Sequence, residues 1–157
     1  MKKIPVTAAI RFLRAHQIDF EAREYDYIPH GGTAQSAKTL GVDEHQVIKT
    51  IVLMDENRKG LIMLMHGDCE ISTRNLARQI GAKHIEITTP EQANKFTGYL
   101  VGGTSPFGTR TPLPIYIQKS IADLDTIYIN GGKRGLLVVM QAHDLNILQP
   151  TWIDAIA

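Results

Sequence analysis

The run Gly98-Tyr99-Leu100-Val101-Gly102-Gly103-Thr104-Ser105-Pro106-Phe107-Gly108 constrains this chain more than any other stretch. It leads from a helix end, through four glycines and a proline, into Leu113-Pro114-Ile115-Tyr116-Ile117. Glycines let the backbone take positive φ and approach a ligand closely, and Pro106 stiffens the segment. Such a loop turns successive N–H groups toward one point, which suits a phosphate oxygen, a carbonyl or a developing oxyanion. A tight connection between two elements would use the same residues. Two further clusters, Gly31-Gly32 and Gly131-Gly132, favour a ligand cradle.

The chain has 157 residues, 43% of them hydrophobic, enough for one well-buried core and too few for two comfortable domains. Seventeen Lys+Arg against sixteen Asp+Glu leave a net charge of +1, so any affinity for RNA must come from a local patch. The one cysteine, Cys69, cannot form an internal disulfide, which fits a reducing compartment. No apolar run is long enough to span a bilayer, and Met1-Lys2-Lys3-Ile4-Pro5 is followed by no signal-peptide core. The expectation is a soluble cytoplasmic protein with no membrane partner.

Residues 5–16 read as a first helix capped by Thr7, and 18–25 as a strand. After the break at Pro29-His30-Gly31-Gly32, Thr33 is expected to cap a short helix ending at Gly41. Residues 47–54 and 60–65 read as strands joined by a polar turn, and Ser72 opens a helix that stops at Gly81. A short strand over 84–88 precedes Thr89-Pro90-Glu91, a strong helix opening. A strand over 115–118 follows the glycine loop. A hairpin over 126–140 then turns at Asn130-Gly131-Gly132, Asp144 opens a last helical stretch, and Trp152 with Ile153 packs the tail. Strands and helices mix without a regular βαβ rhythm. That predicts an α+β domain over residues 1–157, with a mixed, largely antiparallel central sheet and helices around it. No glycine cluster has dinucleotide-binding spacing in its proper context, and no phosphate-loop lysine motif is present.

Lys49 is the odd residue in Val47-Ile48-Lys49-Thr50-Ile51-Val52-Leu53-Met54. Alternation puts it on one strand face with Val47, Ile51 and Leu53, a face expected to point into the core. A buried ammonium requires an anionic partner or a ligand cavity, whereas a lysine on an edge strand would simply extend into water. Asn130-Gly131-Gly132-Lys133-Arg134-Gly135 is explained as a hairpin loop, though Lys133 and Arg134 also stand where a phosphate could bind. Asp144 is explained as a helix cap, though it could hold a cationic or hydroxyl group. His66-Gly67-Asp68-Cys69-Glu70 offers four potential ligands, but in none of the usual zinc spacings, so no metal and no cofactor are expected. Cys69 as a nucleophile with His66 is the weaker reading beside a small core filler.

Together these segments resemble the YbaK family, whose fold also forms the inserted editing domain of bacterial prolyl-tRNA synthetases. The resemblance runs along nearly the whole chain. It is carried by Tyr25, Leu40-Gly41, Val47-Ile48-Lys49-Thr50, Leu76-Ala77 and Gly81-Ala82-Lys83. It continues through Thr97 to Gly108 with Leu113-Pro114, then Gly131-Gly132-Lys133-Arg134-Gly135 and Asp144-Leu145. The resemblance implies a barrel-like sheet and metal-independent hydrolysis of the ester of mischarged aminoacyl-tRNA, by a protein acting in trans. Lys49 matches the lysine on which that activity depends, and Gly102, Gly103, Thr104, Ser105 and Pro106 match a G-x-x-x-P loop against the aminoacyl group. Tyr25 and Asp144 match polar positions near the pocket.

An activated ester needs orientation and oxyanion donors more than a full triad. Backbone N–H groups from Gly103 to Phe107 are the candidate donors, and Lys49 anchors a phosphate, ribose or carbonyl oxygen. The nucleophile is water or, in relatives that clear cysteine, the substrate's own thiol. Gly131, Gly132, Lys133 and Arg134 would meet the 3′-terminal backbone. The expected partners are the acceptor end of tRNA(Pro), with prolyl-tRNA synthetase a second candidate, and not DNA.

The chain departs from the family pattern at three places. Tyr27 replaces a histidine, His66-Gly67-Asp68 replaces a Thr-Pro-Val turn, and Ile71-Ser72-Thr73-Arg74 replaces Leu-Asp-Leu-Lys. These bear on amino-acid preference. Cys-tRNA(Pro) is the leading substrate, Ala-tRNA(Pro) or another small residue the nearest rival. A non-catalytic module that holds charged tRNA, and a lysine enzyme forming a Schiff base, are the readings from other classes.

Overall fold

The structure, a computed structural model, describes residues 4–157. Its helices are α1 (Ala8–Ala15), α2 (Gly32–Leu40), α3 (Thr73–Ile80) and α4 (Pro90–Thr97), each of eight or nine residues. Side-chain oxygens start three of them. Thr7 accepts from the Ile10 N–H, Ser72 from that of Asn75, and Thr89 with Gln92 forms a reciprocal capping box. Gly41, Gly81 and Gly98 end α2, α3 and α4 in the left-handed conformation. Thr33 does not cap α2. The cap position is Gly31, and the Thr33 hydroxyl instead donates to Glu44 and to the Gly67 carbonyl.

The strands are β1 (Glu21–Glu24), β2 (Val47–Asp55), β3 (Gly60–His66), β4 (Ile85–Ile87), β5 (Ile115–Gln118), β6 (Thr126–Asn130), β7 (Leu136–Gln141) and β8 (Thr151–Ile153). They form one mixed sheet in the order β1-β7-β6-β2-β3-β5-β8, with β4 added beside β2. Every residue of β3, Gly-Leu-Ile-Met-Leu-Met-His, is buried, as a strand covered on both faces must be. The β1–β7, β6–β7, β2–β3 and β2–β4 pairs are antiparallel, whereas β2–β6, β3–β5 and β5–β8 are parallel.

The sheet does not close into the expected barrel. β1 and β8 stand at its two ends, and edge strands of four and three residues offer little ladder to extend. The tail also differs from expectation: Trp152 and Ile153 pair in register with Ile117 and Gln118 as β8. Asp144 lies inside a 3-10 segment, Ala142–Leu148, whose cap position is Gln141.

Two apolar clusters fill the two sides of β2. Ile48 and Val52 join Ile62, Leu64, Phe107 and Ile129 in the larger one, while Leu53 joins Met63, Met65 and Leu76 of α3 in the other. The outer edge of β2 is divided. β6 pairs with Val47 and Ile48, β4 with Leu53 to Asp55, and the residues between have no neighbouring strand there. That split in the sheet positions the site.

Candidate active site

Lys49 shares its face of β2 with Ile51 and Leu53, which lie under α3, and with Val47, which packs against Ala37 of α2. The helices cover that face on either side and leave the lysine in the gap. Its side chain is 26% exposed, and Nζ lies 3.9 Å from Glu70 Oε1. Glu70 is 88% exposed, so the pair is weak and solvent-screened. The expected burial of the lysine is therefore partial: it stands in a wall rather than in a core.

That wall belongs to a cavity of about 490 Å³ at the split beside β2. Tyr25, Tyr27, Val47, Ile48, Lys49 and Thr50 line it together with Pro90, Val101, Gly102, Thr104, Asn130, Arg134 and Leu137. Five of the residues singled out from the sequence thus meet in one concavity: Tyr25, Lys49, Gly102, Thr104 and Arg134. Burial, with the neighbouring Tyr27 hydroxyl, raises the Tyr25 phenol above its ordinary pKa, so it enters as a neutral hydrogen-bonding group.

The glycine loop has two halves with different work. Gly103 is buried against the hairpin turn, where an added Cβ would come within 2.8 Å of the Arg134 backbone nitrogen. Ser105, Pro106 and Phe107 turn inward and are buried. Phe107 is completely buried, stacks on Phe12 of α1 at 5.8 Å, and accepts from the Tyr99 hydroxyl through its carbonyl. Ser105 Oγ accepts from the Phe107 N–H at 3.1 Å.

These bonds narrow the set of oxyanion donors. The Gly103 N–H is engaged with the Leu100 carbonyl at 2.8 Å, the Phe107 N–H with Ser105, and Pro106 has none. Of the stretch from Gly103 to Phe107, only the N–H groups of Thr104 and Ser105 are without a partner among the described residues, and Thr104 lines the cavity.

The β6–β7 turn holds the exposed half of the loop. Arg134 Nε donates to the Val101 carbonyl at 2.8 Å, and Asn130 Nδ2 donates to the Gly102 carbonyl at 2.9 Å. The Arg134 guanidinium also covers the Tyr27 ring at 5.3 Å. Gly131 and Gly132 face away from the cavity: the Gly131 carbonyl accepts from Thr7 Oγ1, and Gly132 packs against Tyr99 and Thr7. Lys133 is exposed and outside the cavity lining. Asp144 is also outside that lining and lies 3.3 Å from His143.

Sequence reasoning passed over Asn130 because a hairpin turn explains an asparagine in full. Tyr27 stood out only as a departure from the family pattern, and nothing in the chain signals that its ring lies on Gly102.

His45, Asp68 and Cys69 gather their donor atoms within 4.8 Å of one another. Asp68 Oδ1 already accepts from His45 Nδ1 at 2.8 Å and from Cys69 Sγ at 3.5 Å. Burial and the adjacent Asp68 carboxylate raise the Cys69 pKa, which disfavours the thiolate that a nucleophile or metal ligand requires.

A family model for the aminoacyl-tRNA editing domain matches residues 29–147. A candidate Cys-tRNA(Pro)/Cys-tRNA(Cys) deacylase of Enterococcus faecalis, EbsC, is 26% identical over 133 residues, covering 84% of this chain and 81% of that one. The proline–tRNA ligase of Lactiplantibacillus plantarum is 26% identical over 105 residues, covering 67% of this chain but 18% of the ligase. A solved structure described as a candidate trans-editing enzyme for prolyl-tRNA synthetase superposes with a TM-score of 0.84 at 22% identity, covering 98% of this chain and 99% of that one. Among the described residues no helix is long and apolar enough to cross a membrane. The cavity built by β2, the glycine loop and the β6–β7 turn falls wholly within or beside the matched segment, and the chain belongs to the aminoacyl-tRNA editing domain family.

Proposed function

We propose that this protein acts in trans as a hydrolase that removes a wrongly attached amino acid from tRNA, with cysteine on tRNA(Pro) as the leading substrate. The observation that carries the reading is the placement of Lys49 in one cavity wall with Gly102 and Thr104 of the glycine loop. The deacylase named for the Enterococcus relative supports the choice of amino acid and tRNA.

In this reading the aminoacyl group enters the cavity with its ester carbonyl toward the Thr104 and Ser105 N–H groups. Those donors stabilise the tetrahedral oxyanion where charge develops. Lys49 anchors a phosphate, ribose or carbonyl oxygen by a charge-assisted contact, and needs no proton-transfer role. Water attack forms the new C–O bond and releases the free amino acid. A cysteine substrate's own thiol instead forms a C–S bond and leaves as a thiolactone that water opens in solution. In both cases the ester C–O bond breaks and the nucleophile's proton ends on the ribose oxygen. Tyr25 positions the ligand, and the Gly103–Pro106 segment fixes the donors. No cofactor or metal enters. The cytoplasm is the setting where charged tRNA and a prolyl-tRNA synthetase partner would be met.

The test is the rate of ester loss from tRNA(Pro) charged with cysteine, alanine, serine or proline, for wild type and Lys49→Ala. The expected result is rapid loss from one wrong amino acid, with proline spared. The Lys49→Ala variant should be slower by about a hundredfold or more, the scale of losing a charge-stabilising group. Equal rates in a folded Lys49→Ala protein would remove the mechanism. No acceleration with any amino acid would leave a module that only holds charged tRNA.

A further inference from the structure

A second concavity, of about 430 Å³, lies between α3 and the start of β4, outside the site described above. Arg74, Arg78, Lys83 and His84 line it. Arg74 and Arg78 stand four apart on α3 and so project from the same side of the helix. Gly81, in the left-handed conformation, then turns the chain so that Lys83 and His84 come alongside them. Among the described residues none of Arg74, Arg78 and Lys83 enters an ion pair or donates a side-chain hydrogen bond.

Arg78 in the last turn of α3 is favourably placed for the helix dipole, so by itself it needs no ligand. Arg74 is different. It occupies the first turn, where a cation opposes the dipole, and no acidic residue accompanies it there. Two carboxylates border the groove and are already occupied. Glu56 accepts from the Lys83 and His84 backbone N–H groups, and Glu86 lies 3.8 Å from His84.

The location connects this groove to the cavity. Leu76 and Ala77 of α3 pack in one cluster with Ile51 and Leu53, the residues that share the Lys49 face of β2. β4, which closes the groove, pairs with β2 at Leu53 to Asp55. From Lys49 to Asp55 is six residues of extended strand, about 20 Å. At about 3.4 Å per stacked nucleotide, that is roughly six nucleotide steps along an RNA strand. An aminoacyl ester held at Lys49 would therefore have the first base pairs of its own RNA within reach of this groove.

We propose that Arg74, Arg78 and Lys83 form a phosphate-binding groove for the double-stranded acceptor stem of the tRNA whose 3′ end enters the cavity. The proposal rests on the tRNA-editing reading for the identity of the RNA, and its test separates the two. The groove reads backbone charge and A-form shape, not sequence. It accordingly contributes affinity to every tRNA, while the cavity selects the amino acid.

The experiment compares wild type, Arg74→Gln/Arg78→Gln/Lys83→Gln, and a control, Arg11→Gln/Arg14→Gln/Lys119→Gln, that removes equal charge from exposed positions elsewhere. Binding of uncharged tRNA is measured between about 50 and 200 mM salt. The groove variant should raise Kd and lessen the slope of log K against log salt by about 2 to 3, roughly 0.7–0.9 for each lost phosphate contact. Its KM for charged tRNA should rise with kcat retained, and its activity on an aminoacyl ester of adenosine, too short to reach the groove, should stay at the wild-type level. An unchanged Kd and slope, or an equal effect in the control variant, would overturn the proposal. So would an equal loss on the short ester. If wild type hydrolyses neither ester, the editing reading fails, and the uncharged-tRNA measurement still decides the groove.

Discussion

Arg134 donates from Nε to the carbonyl of Val101 at 2.8 Å, so a basic side chain that looked suited to a phosphate is spent on the backbone of the glycine loop. With Asn130 on the next carbonyl, two consecutive peptide planes ahead of Thr104 are fixed from the β6–β7 turn. Losing a charged hydrogen bond of this kind costs about 1.5–3 kcal/mol, or roughly ten- to a hundredfold in an equilibrium or rate. Arg134→Ala is expected to lower kcat/KM by that factor on charged tRNA and on an aminoacyl ester of adenosine alike. Arg134→Lys should not restore it, because lysine has no Nε–H to donate sideways while its charge stays over the Tyr27 ring. A loss confined to full-length tRNA would assign Arg134 to an RNA phosphate instead.

Gly102 is tied to its residue type twice over. Its φ is +86°, and an added Cβ would stand 2.6 Å from the Tyr27 hydroxyl oxygen. Gly102→Ala should displace the loop or the tyrosine and lower ester hydrolysis steeply, with about 1–2 kcal/mol of stability lost to the left-handed backbone. Combining it with Tyr27→Ala relieves the contact but not the backbone strain. The double variant is therefore expected to recover the loop's position in part and its stability hardly at all. Thermal melts and kinetics on both variants read the two effects separately.

Local chemistry made much of this fold legible. Thr7, Ser72 and Thr89 announce helix starts because an N-cap oxygen is a local requirement, and Gly41, Gly81 and Gly98 announce ends for the same reason. Lys49 stood out because a single charge interrupts an apolar strand. What a sequence carries poorly is long-range pairing. β8 is three residues long and, among the described residues, its only ladder is with β5, more than thirty residues earlier, so Trp152 and Ile153 read merely as a packed tail. Thr33 carries every local sign of a cap, yet Glu44 and Gly67 take its hydroxyl across the fold. In the site, the resemblance brought Lys49 and the glycine loop together. The use of Arg134 and Asn130 on loop carbonyls depends on contacts about thirty residues apart, which no local pattern displays.

Cys69 should prove dispensable for hydrolysis. Its thiol is held in the neutral form by burial and by Asp68, and no imidazole accepts its proton: His45 is bonded to Asp68, and His66 to the His45 carbonyl and Ser120. Cys69→Ser is expected to keep kcat within about twofold, where loss of a covalent nucleophile would remove several orders of magnitude. Thiol alkylation of the native protein followed by an activity assay gives an independent reading. A Cys69→Ser variant without activity would reinstate a protein nucleophile.

His66 is expected to contribute to this protein's loss of stability in acid. It is completely buried, Nδ1 donates to the His45 carbonyl at 2.8 Å, and Nε2 lies 2.7 Å from the Ser120 hydroxyl, from which it accepts when the ring is neutral. A protonated ring would instead donate from Nε2 to the Ser120 oxygen, so burial rather than the hydrogen bonds favours the neutral form. Burial lowers its pKa below the ordinary 6.5; the hydrogen bond to the His45 carbonyl opposes this, as do Asp68 and Asp123, while charge on the stacked His45 ring at 3.7 Å acts in the same direction as burial. Above about pH 6.5 neither the folded nor the unfolded chain holds a proton at this position, and stability is unaffected by it. As pH falls through 6.5, the unfolded chain takes up a proton that the folded one does not, so folding loses up to about 1.4 kcal/mol per pH unit until the lowered folded pKa is reached. Chemical denaturation at pH 7.5, 6.5 and 5.5, about one unit either side of the ordinary histidine value, should therefore show a decline beginning near 6.5. His66→Gln, which keeps a donor and an acceptor without titrating, should be less stable at pH 7.5 but lose less on acidification. Parallel pH profiles for the two proteins would place the acid sensitivity elsewhere.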